Sequence, residues 1–184
     1  MISDLVQSQK DEGVTMEFHV GDKVVHRAYG VGEIVQFDKK NVGGQVVSYY
    51  VVQTRNLTVW VPVNGGGDQS LRLPTRPREF KKAFKVLSSA GEQLSTDRFE
   101  RKTHLSEQLR KGTIESTCRV IRDLSLYGRI KKLNDNDVSI MERAQSILLE
   151  EWILSLSVPL SEAQQELKHF LDGGFQAAKP TLSV

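Results

Sequence analysis

Apolar and polar positions change their rhythm once along this chain, near residue 77. Over residues 18–62 the apolar residues come in short β-branched or alternating runs, the period-2 signature of half-buried strands. Lys23-Val24-Val25-His26 is the first run, Gly32-Glu33-Ile34-Val35-Gln36-Phe37 the second, and Gly30 with Gly32 marks the turn between them. Asn41-Val42-Gly43-Gly44 reads as another turn, since glycine tolerates the positive φ that tight hairpins need. Two more strands follow over residues 45–54 and 57–63, before Asn64-Gly65-Gly66-Gly67-Asp68 interrupts the pattern. Four or five short strands within about 50 residues predict a small curled sheet or barrel, not a βαβ unit.

Beyond Pro77 the period becomes helical. Phe80, Ala83, Phe84 and Leu87 fall at i, i+3, i+4 and i+7, and Ser88-Ser89-Ala90-Gly91 closes that helix. Thr96 or Asp97 caps a second helix reaching Lys111 and stopped by Gly112. Thr113 caps a third, striped by Ile114, Cys118, Ile121 and Leu124 or Ser125. A long helix after Asn134-Asp135 turns Met141, Ala144, Ile147, Leu148 and Trp152 inward and ends before Pro159. Ser161-x-x-Gln164 reads as the capping box of a last helix ending at Gly173-Gly174. The predicted class is α+β: a small β-barrel followed by an all-α bundle of about five helices. The expected organisation is a mobile tail over residues 1–15, a β module over 16–73, a helical module over 74–174 and a frayed tail over 175–184. Gly65-Gly66-Gly67 is expected to be a flexible connector.

Composition narrows the class. With 39% apolar and 26% charged residues the chain is neither disordered, collagen-like nor membrane-embedded. No apolar run approaches the ~18–20 residues of a membrane span, and the N-terminus lacks the apolar core of a signal peptide. A single cysteine, Cys118, excludes an internal disulfide and a Cys-pair zinc site, so a cytoplasmic protein is expected. Net charge is +2, but residues 91–132 carry ten Lys and Arg against six Asp and Glu, while residues 133–184 carry three against eight. That basic middle segment would concentrate a polyanion, although helices also carry such residues on solvated faces.

Catalytic chemistry is missing. His19, His26, His104 and His169 lie on different predicted elements and none has metal-ligand spacing. The glycine triplet lacks the P-loop spacing that cradles a phosphate, and Cys118 sits on an apolar stripe where a thiol acts as a small hydrophobe. No catalytic residue, metal site or cofactor is assigned, and the protein is expected not to be an enzyme.

The strand region is more specific. Phe18-His19-Val20-Gly21-Asp22-Lys23-Val24-Val25-His26 followed by Tyr29-Gly30-Val31-Gly32-Glu33-Ile34 resembles the opening motif of the CarD/CdnL family of bacterial transcription regulators. Gly44 before Tyr49-Tyr50-Val51-Val52, then Leu57-Thr58-Val59-Trp60-Val61-Pro62-Val63 and Leu71-Arg72, agree in order and spacing. The helical half is similar at Leu109-Arg110-Lys111-Gly112, Val120-Ile121-Arg122-Asp123-Leu124 and Glu142-Arg143-Ala144-x-x-Ile147-Leu148-x-x-Glu151. The resemblance implies a Tudor-like (SH3-like) barrel, a module shared with the transcription-repair coupling factor, that binds the β-subunit lobe of bacterial RNA polymerase. It implies a helical domain touching promoter DNA at the upstream edge of the transcription bubble, weakly and without sequence specificity, to modulate open-complex stability. A monomer, free of membrane and drawn to the nucleoid by polymerase, is expected.

The implied polymerase contacts are Lys40, Val42 and Trp60. Strand alternation separates Trp60 from Val59 and Val61, so it is either an exposed anchor or packed beneath the helical half or the connector. The implied DNA contacts are Arg98, Phe99, Arg101, Lys102, Arg119, Arg122, Lys131 and Lys132. Many relatives carry a wedge tryptophan where Arg98 stands here; Phe99 is either an apolar wedge or a core residue. A second basic site of relatives falls near Val138, another departure. Two alternatives stand beside this reading: a polymerase-binding adaptor whose helices bind another protein, and an RNA-binding protein stacking bases on Tyr49, Tyr50 and Trp60. Successive tyrosines face opposite sides of a strand, so at most one of that pair could stack.

Overall fold

A computed structural model describes residues 18–63 and 70–178. Five strands come first: β1 (Lys23–His26), β2 (Gly30–Val42), β3 (Gln45–Thr54), β4 (Thr58–Pro62) and β5 (Leu71–Arg72). They form one antiparallel sheet in the order β4-β3-β2-β1-β5. Gly43 and Gly44, at φ 59° and 84°, form the two-residue β2–β3 turn, a conformation that favours glycine at both positions. The β2 strand is longer than the alternation suggests and includes Lys40. A bulge between Ile34 and Gln36 shifts the register and bends the strand. Phe18, Val24, Ile34, Tyr50, Val52, Val61 and Leu71 fill the space enclosed by the curled sheet. The connector expected at the glycine triplet and the tail over residues 1–15 lie outside the described residues.

Five helices follow: α1 (Pro77–Leu87), α2 (Arg98–Arg110), α3 (Ile114–Ile130), α4 (Asp135–Leu156) and α5 (Leu160–Ala178). The polar caps expected for α2 and α3 are present, and α4 has one as well. Asp97 accepts from Phe99 N and Glu100 N, Thr113 from Ser116 N, and Asn134 forms a reciprocal capping box with Asp137. Two expectations for α5 need correction. It begins one residue before Ser161, with the Pro159 carbonyl accepting from Glu162 N and Ala163 N, so Ser161 is not its cap. It also runs through Gly173-Gly174 to Ala178 instead of ending there, adjacent turns outweighing the modest penalty of glycine. The helical core gathers Phe80, Leu87, Leu105, Cys118, Ile121, Leu124, Leu148 and Trp152, with Phe84 between the Trp152 and Phe170 rings at 4.6 and 4.9 Å.

The two modules are bonded to each other. Glu151 of α4, with none of its surface exposed, accepts two hydrogen bonds from Arg72 of β5 at 2.6 and 2.7 Å and one from Thr75 N at 2.7 Å. Arg72 Nε also donates to the Gly112 carbonyl at 2.8 Å, and Arg143 of α4 donates to the Ala28 carbonyl at 2.8 Å. Gly112 sits at φ 67°, and a Cβ there would stand 2.6 Å from Arg27 Cβ. The α2–α3 turn therefore needs glycine for its backbone and for its approach to the β module.

Candidate binding surfaces

Cross-strand register decides which residues share the outer sheet face. Directly opposed residues point the same way, and the pairs Gln36↔Val51, Lys40↔Val47, Val42↔Gln45 and Trp60↔Val51 put Lys40, Val42 and Trp60 on one face. Their neighbours Tyr50, Val52 and Val61 point the other way, into the barrel core. Trp60 is 43% exposed and Val42 54%, so neither is packed beneath the helices. The Trp60 indole N–H donates to Asp38 Oδ2 at 3.0 Å, and Lys40 Nζ stands 4.1 Å from the Trp60 ring centroid, 5.9 Å from that of Tyr49 and 3.9 Å from Asp38 Oδ2. A carboxylate and a cation thus hold the indole edge-on and face-on, which fixes its orientation while leaving the ring accessible. Alternation identified the face of Trp60 but could not show Asp38 and Tyr49 as its supports, since both lie on other strands. Tyr50 is buried against Phe18, 5.7 Å between centroids, so only Tyr49 of the two tyrosines reaches the outer face.

The second surface forms where three helix ends meet. Asp97 caps α2 and leaves Arg98 and Lys102 exposed, with Phe99 78% exposed beside them. Phe99 is therefore not a core residue. Arg101, one turn in, is only 3% exposed and points inward. Its Nε and Nη2 donate to both oxygens of Asp137 at 3.0 and 2.9 Å, Nη1 donates to the Ser95 carbonyl at 2.7 Å, and its guanidinium lies 4.6 Å from the Tyr127 ring centroid. The bond to Asp137 raises its pKa above the ordinary arginine value. Arg101 thus joins the start of α2 to the last turns of α3 and the first turn of α4. Lys131 and Lys132, exposed on the chain between Tyr127 and Asp137, are brought to the same end of the bundle.

Two of the expected DNA contacts are withdrawn by this geometry. Arg101 is consumed by Asp137, and Arg122 is only 8% exposed. Arg122 Nε donates to Asp123 and Nη1 to Ser89 Oγ, both at 2.8 Å, while Asp123 also accepts from Glu92 N at 2.8 Å. These bonds pin the segment between α1 and α2 onto α3. Arg119 is half exposed and lies 3.9 Å from Glu92, so it borders that segment instead of standing free. The physical reason is shared by Arg101 and Arg122: each guanidinium meets a carboxylate inside the fold, Asp137 of α4 for Arg101, and for Arg122 its neighbour Asp123 on α3, with Glu92 of the segment folded over α3 at 3.7 Å.

His26 and Cys118 are enclosed by the fold. His26 is buried, and its Nδ1 accepts from Ala28 N at 3.0 Å. Burial, with Arg27 and Arg143 nearby, pushes its pKa below the usual histidine value. Cys118 is fully buried, and burial pushes its thiol pKa well up, away from nucleophilic use. Among the described residues no group of three or more His, Cys, Asp or Glu could hold a metal ion, and no described helix is long and apolar enough to cross a membrane.

Sequence segments also hid a basic surface. Arg76, Arg78, Lys81, Lys82 and Lys85 cluster around α1 and are all exposed. They precede the basic segment over residues 91–132 and follow a nearly neutral β module, so their charge is concentrated within a single helix.

Comparison with known proteins follows the same two-part division. Residues 18–68 match the family description "CarD-like/TRCF RID domain", and residues 82–168 match "CarD, C-terminal domain". The chain is 23% identical over 155 residues to the Bacillus subtilis (strain 168) protein named "Putative transcription factor YdeB", an alignment covering 83% of this chain and 99% of that protein.

Proposed function

The chain belongs to the CarD-like family, with the two family domains in order along it, and on that premise we propose that it regulates transcription by gripping RNA polymerase with one module and promoter DNA with the other. Lys40, Val42 and Trp60 form the polymerase-facing surface, directed at the β-subunit lobe. Arg98, Phe99, Lys102, Lys131 and Lys132 form the DNA-facing end, placed at the upstream edge of the transcription bubble. The contacts are phosphates and one apolar ring, so binding is salt-sensitive and nearly independent of sequence. The protein is cytoplasmic and reaches the nucleoid through polymerase.

The observation that carries this reading is the exposure of Phe99 among unburied cations, on a bundle bonded to the sheet through the buried Glu151. An aromatic ring left in water beside basic residues suits insertion at a disrupted base step, where stacking is already broken. Isolated contacts of this kind bind duplex at ~10⁻⁴–10⁻⁶ M. Tethering by polymerase supplies an effective concentration in the ~millimolar range, enough to fill the site. A fixed junction between the modules keeps that concentration high, because the DNA-facing end cannot swing away.

Two measurements test the halves separately. Capture of the isolated β lobe should fall with Trp60→Ala and with Lys40→Glu; if neither change reduces capture, the sheet face is misassigned. Open-complex lifetime on a promoter fragment should shorten with Arg98→Ala and with Phe99→Ala while polymerase capture stays at the wild-type level. Unchanged lifetimes in both variants would refute the DNA half.

A further inference from the structure

After Pro77, every fully exposed residue of α1 is a cation. Arg78, Lys81, Lys82 and Lys85 stand at i, i+3, i+4 and i+7, all exposed, within an arc of about 100° of the helix circumference. Opposite them Phe80, Ala83 and Leu87 are fully buried, and Phe84 is wedged against Trp152 and Phe170. The helix cannot roll, so the direction of the stripe is set by the core.

This arrangement works against the helix that carries it. Arg78–Lys82 and Lys81–Lys85 are like-charge i, i+4 pairs, and Arg78–Lys81 and Lys82–Lys85 are like-charge i, i+3 pairs, each mildly destabilising. Arg76 at the N-cap makes no side-chain cap bond, and Arg78 adds positive charge to the positive end of the helix dipole, opposed in the first turn by Glu79. None of the five basic residues is ion-paired among the described residues. The exposed faces of α2, α4 and α5 mix signs, with Glu100 and Glu107 among the cations of α2 and Glu162, Glu166 and Lys168 on α5. Buried arginines of this protein are matched with carboxylates; the α1 stripe is left unmatched, and a polyanion would relieve its self-repulsion.

We infer that α1 is a second DNA-contacting surface, in which Arg78, Lys81, Lys82 and Lys85 neutralise phosphates of duplex DNA outside the site at the α2 end. The inference rests on the proposed placement of the helical module against promoter DNA. Arg78 to Lys85 spans about 10 Å of helix axis, which matches the axial rise of about three phosphates on one strand. Lysine and arginine stems without carboxylate partners can adjust to those phosphates without losing an existing bond. Their contribution is affinity and register, not base recognition.

The test uses the full chain and a fluorescent duplex titrated across a salt series. Its key variant carries Arg78→Gln, Lys81→Gln, Lys82→Gln and Lys85→Gln together, and Arg98→Gln with Phe99→Ala serves as the reference. All four glutamines lie on an exposed face and remove like-charge pairs, so the variant should unfold at or above the wild-type temperature. The slope of log affinity against log salt should become shallower by about 0.9 for each phosphate no longer neutralised, or about 2.7 for the three phosphates spanned. A fourfold rise in salt would then weaken the variant about 40-fold less than the wild type. An unchanged slope in this variant, with a shallower one in the reference, would overturn the α1 assignment and leave the proposed function standing. Loss of polymerase capture with an unaltered duplex slope would overturn it too, by showing that the stripe meets an acidic protein surface. A wild-type chain with no duplex binding at low salt would overturn both this inference and the DNA half of the proposal.

Discussion

Replacing Arg101 with methionine separates a positioning arginine from a phosphate contact. The guanidinium is 3% exposed and its partner Asp137 1%, so the substitution strands a carboxylate that is nearly out of water. Asp137 would keep only the Asn134 backbone donor, at 3.3 Å, and the Ser95 carbonyl would lose its own donor. Breaking a buried pair from one side costs ~3–5 kcal/mol. For a chain of this size each kcal/mol moves the melting temperature by about 2–4 °C, so a fall of roughly 6–20 °C is expected. The double variant Arg101→Met with Asp137→Leu should recover most of the loss, since both buried charges are gone. About 1 kcal/mol should remain missing, because Asp137 also completes the α4 capping box. Thermal and denaturant unfolding of the two single variants and the double variant closes the cycle. A single variant within about 1 kcal/mol of wild type, combined with a duplex salt slope shallower by about 0.9, would refute this reasoning and return Arg101 to the DNA surface.

Two further outcomes follow from the same accounting of buried groups. His26 is held below its ordinary pKa of 6.5, so the unfolded chain takes up the proton first as pH falls. The stability it supports is present above pH 6.5 and declines below it, towards the folded-state pKa; denaturant midpoints at about pH 7.5 and about pH 5.5 should differ, and His26→Asn should narrow that difference. An undiminished difference in His26→Asn would exclude the imidazole as its source. At the module junction, Arg72→Met leaves the fully buried Glu151 with Thr75 N alone. Trp60 reports on the sheet and Trp152 on the helices, and their unfolding transitions should coincide in the wild type but separate in this variant. Coincident transitions in Arg72→Met would mean that the junction does not depend on this pair.

Much of the fold was legible because its causes are local. Strand alternation, glycine turns and the caps Asp97, Thr113 and Asn134 depend on residues within a few positions of each other, and the same holds for the stripes of α1, α3 and α4. The sequence motifs of the β module and of the helices were also enough to point to the family. The start of α5 departs from its pattern for an equally local reason: Ser161 has the capping spacing, but the carbonyl of Pro159 already receives the first helical donors.

The candidate surfaces divided differently. That Trp60 and Val59 face opposite ways follows from the sequence, as does the basic character of residues 91–132. Which of those cations meets solvent does not. In α2 the buried stripe is Arg101, Leu105 and Leu109, headed by an arginine that no hydrophobic pattern would place inside. Its burial is set by Asp137, 36 residues further along the chain, just as that of Arg122 is set by the segment folded over α3. Phe99 went the other way, kept in water by its position in the first turn of α2. Helical periodicity specifies angles around one axis, but it carries no information about which neighbouring element covers each angle. Long-range packing decides that, and with it which charges are spent inside the protein and which remain for a partner.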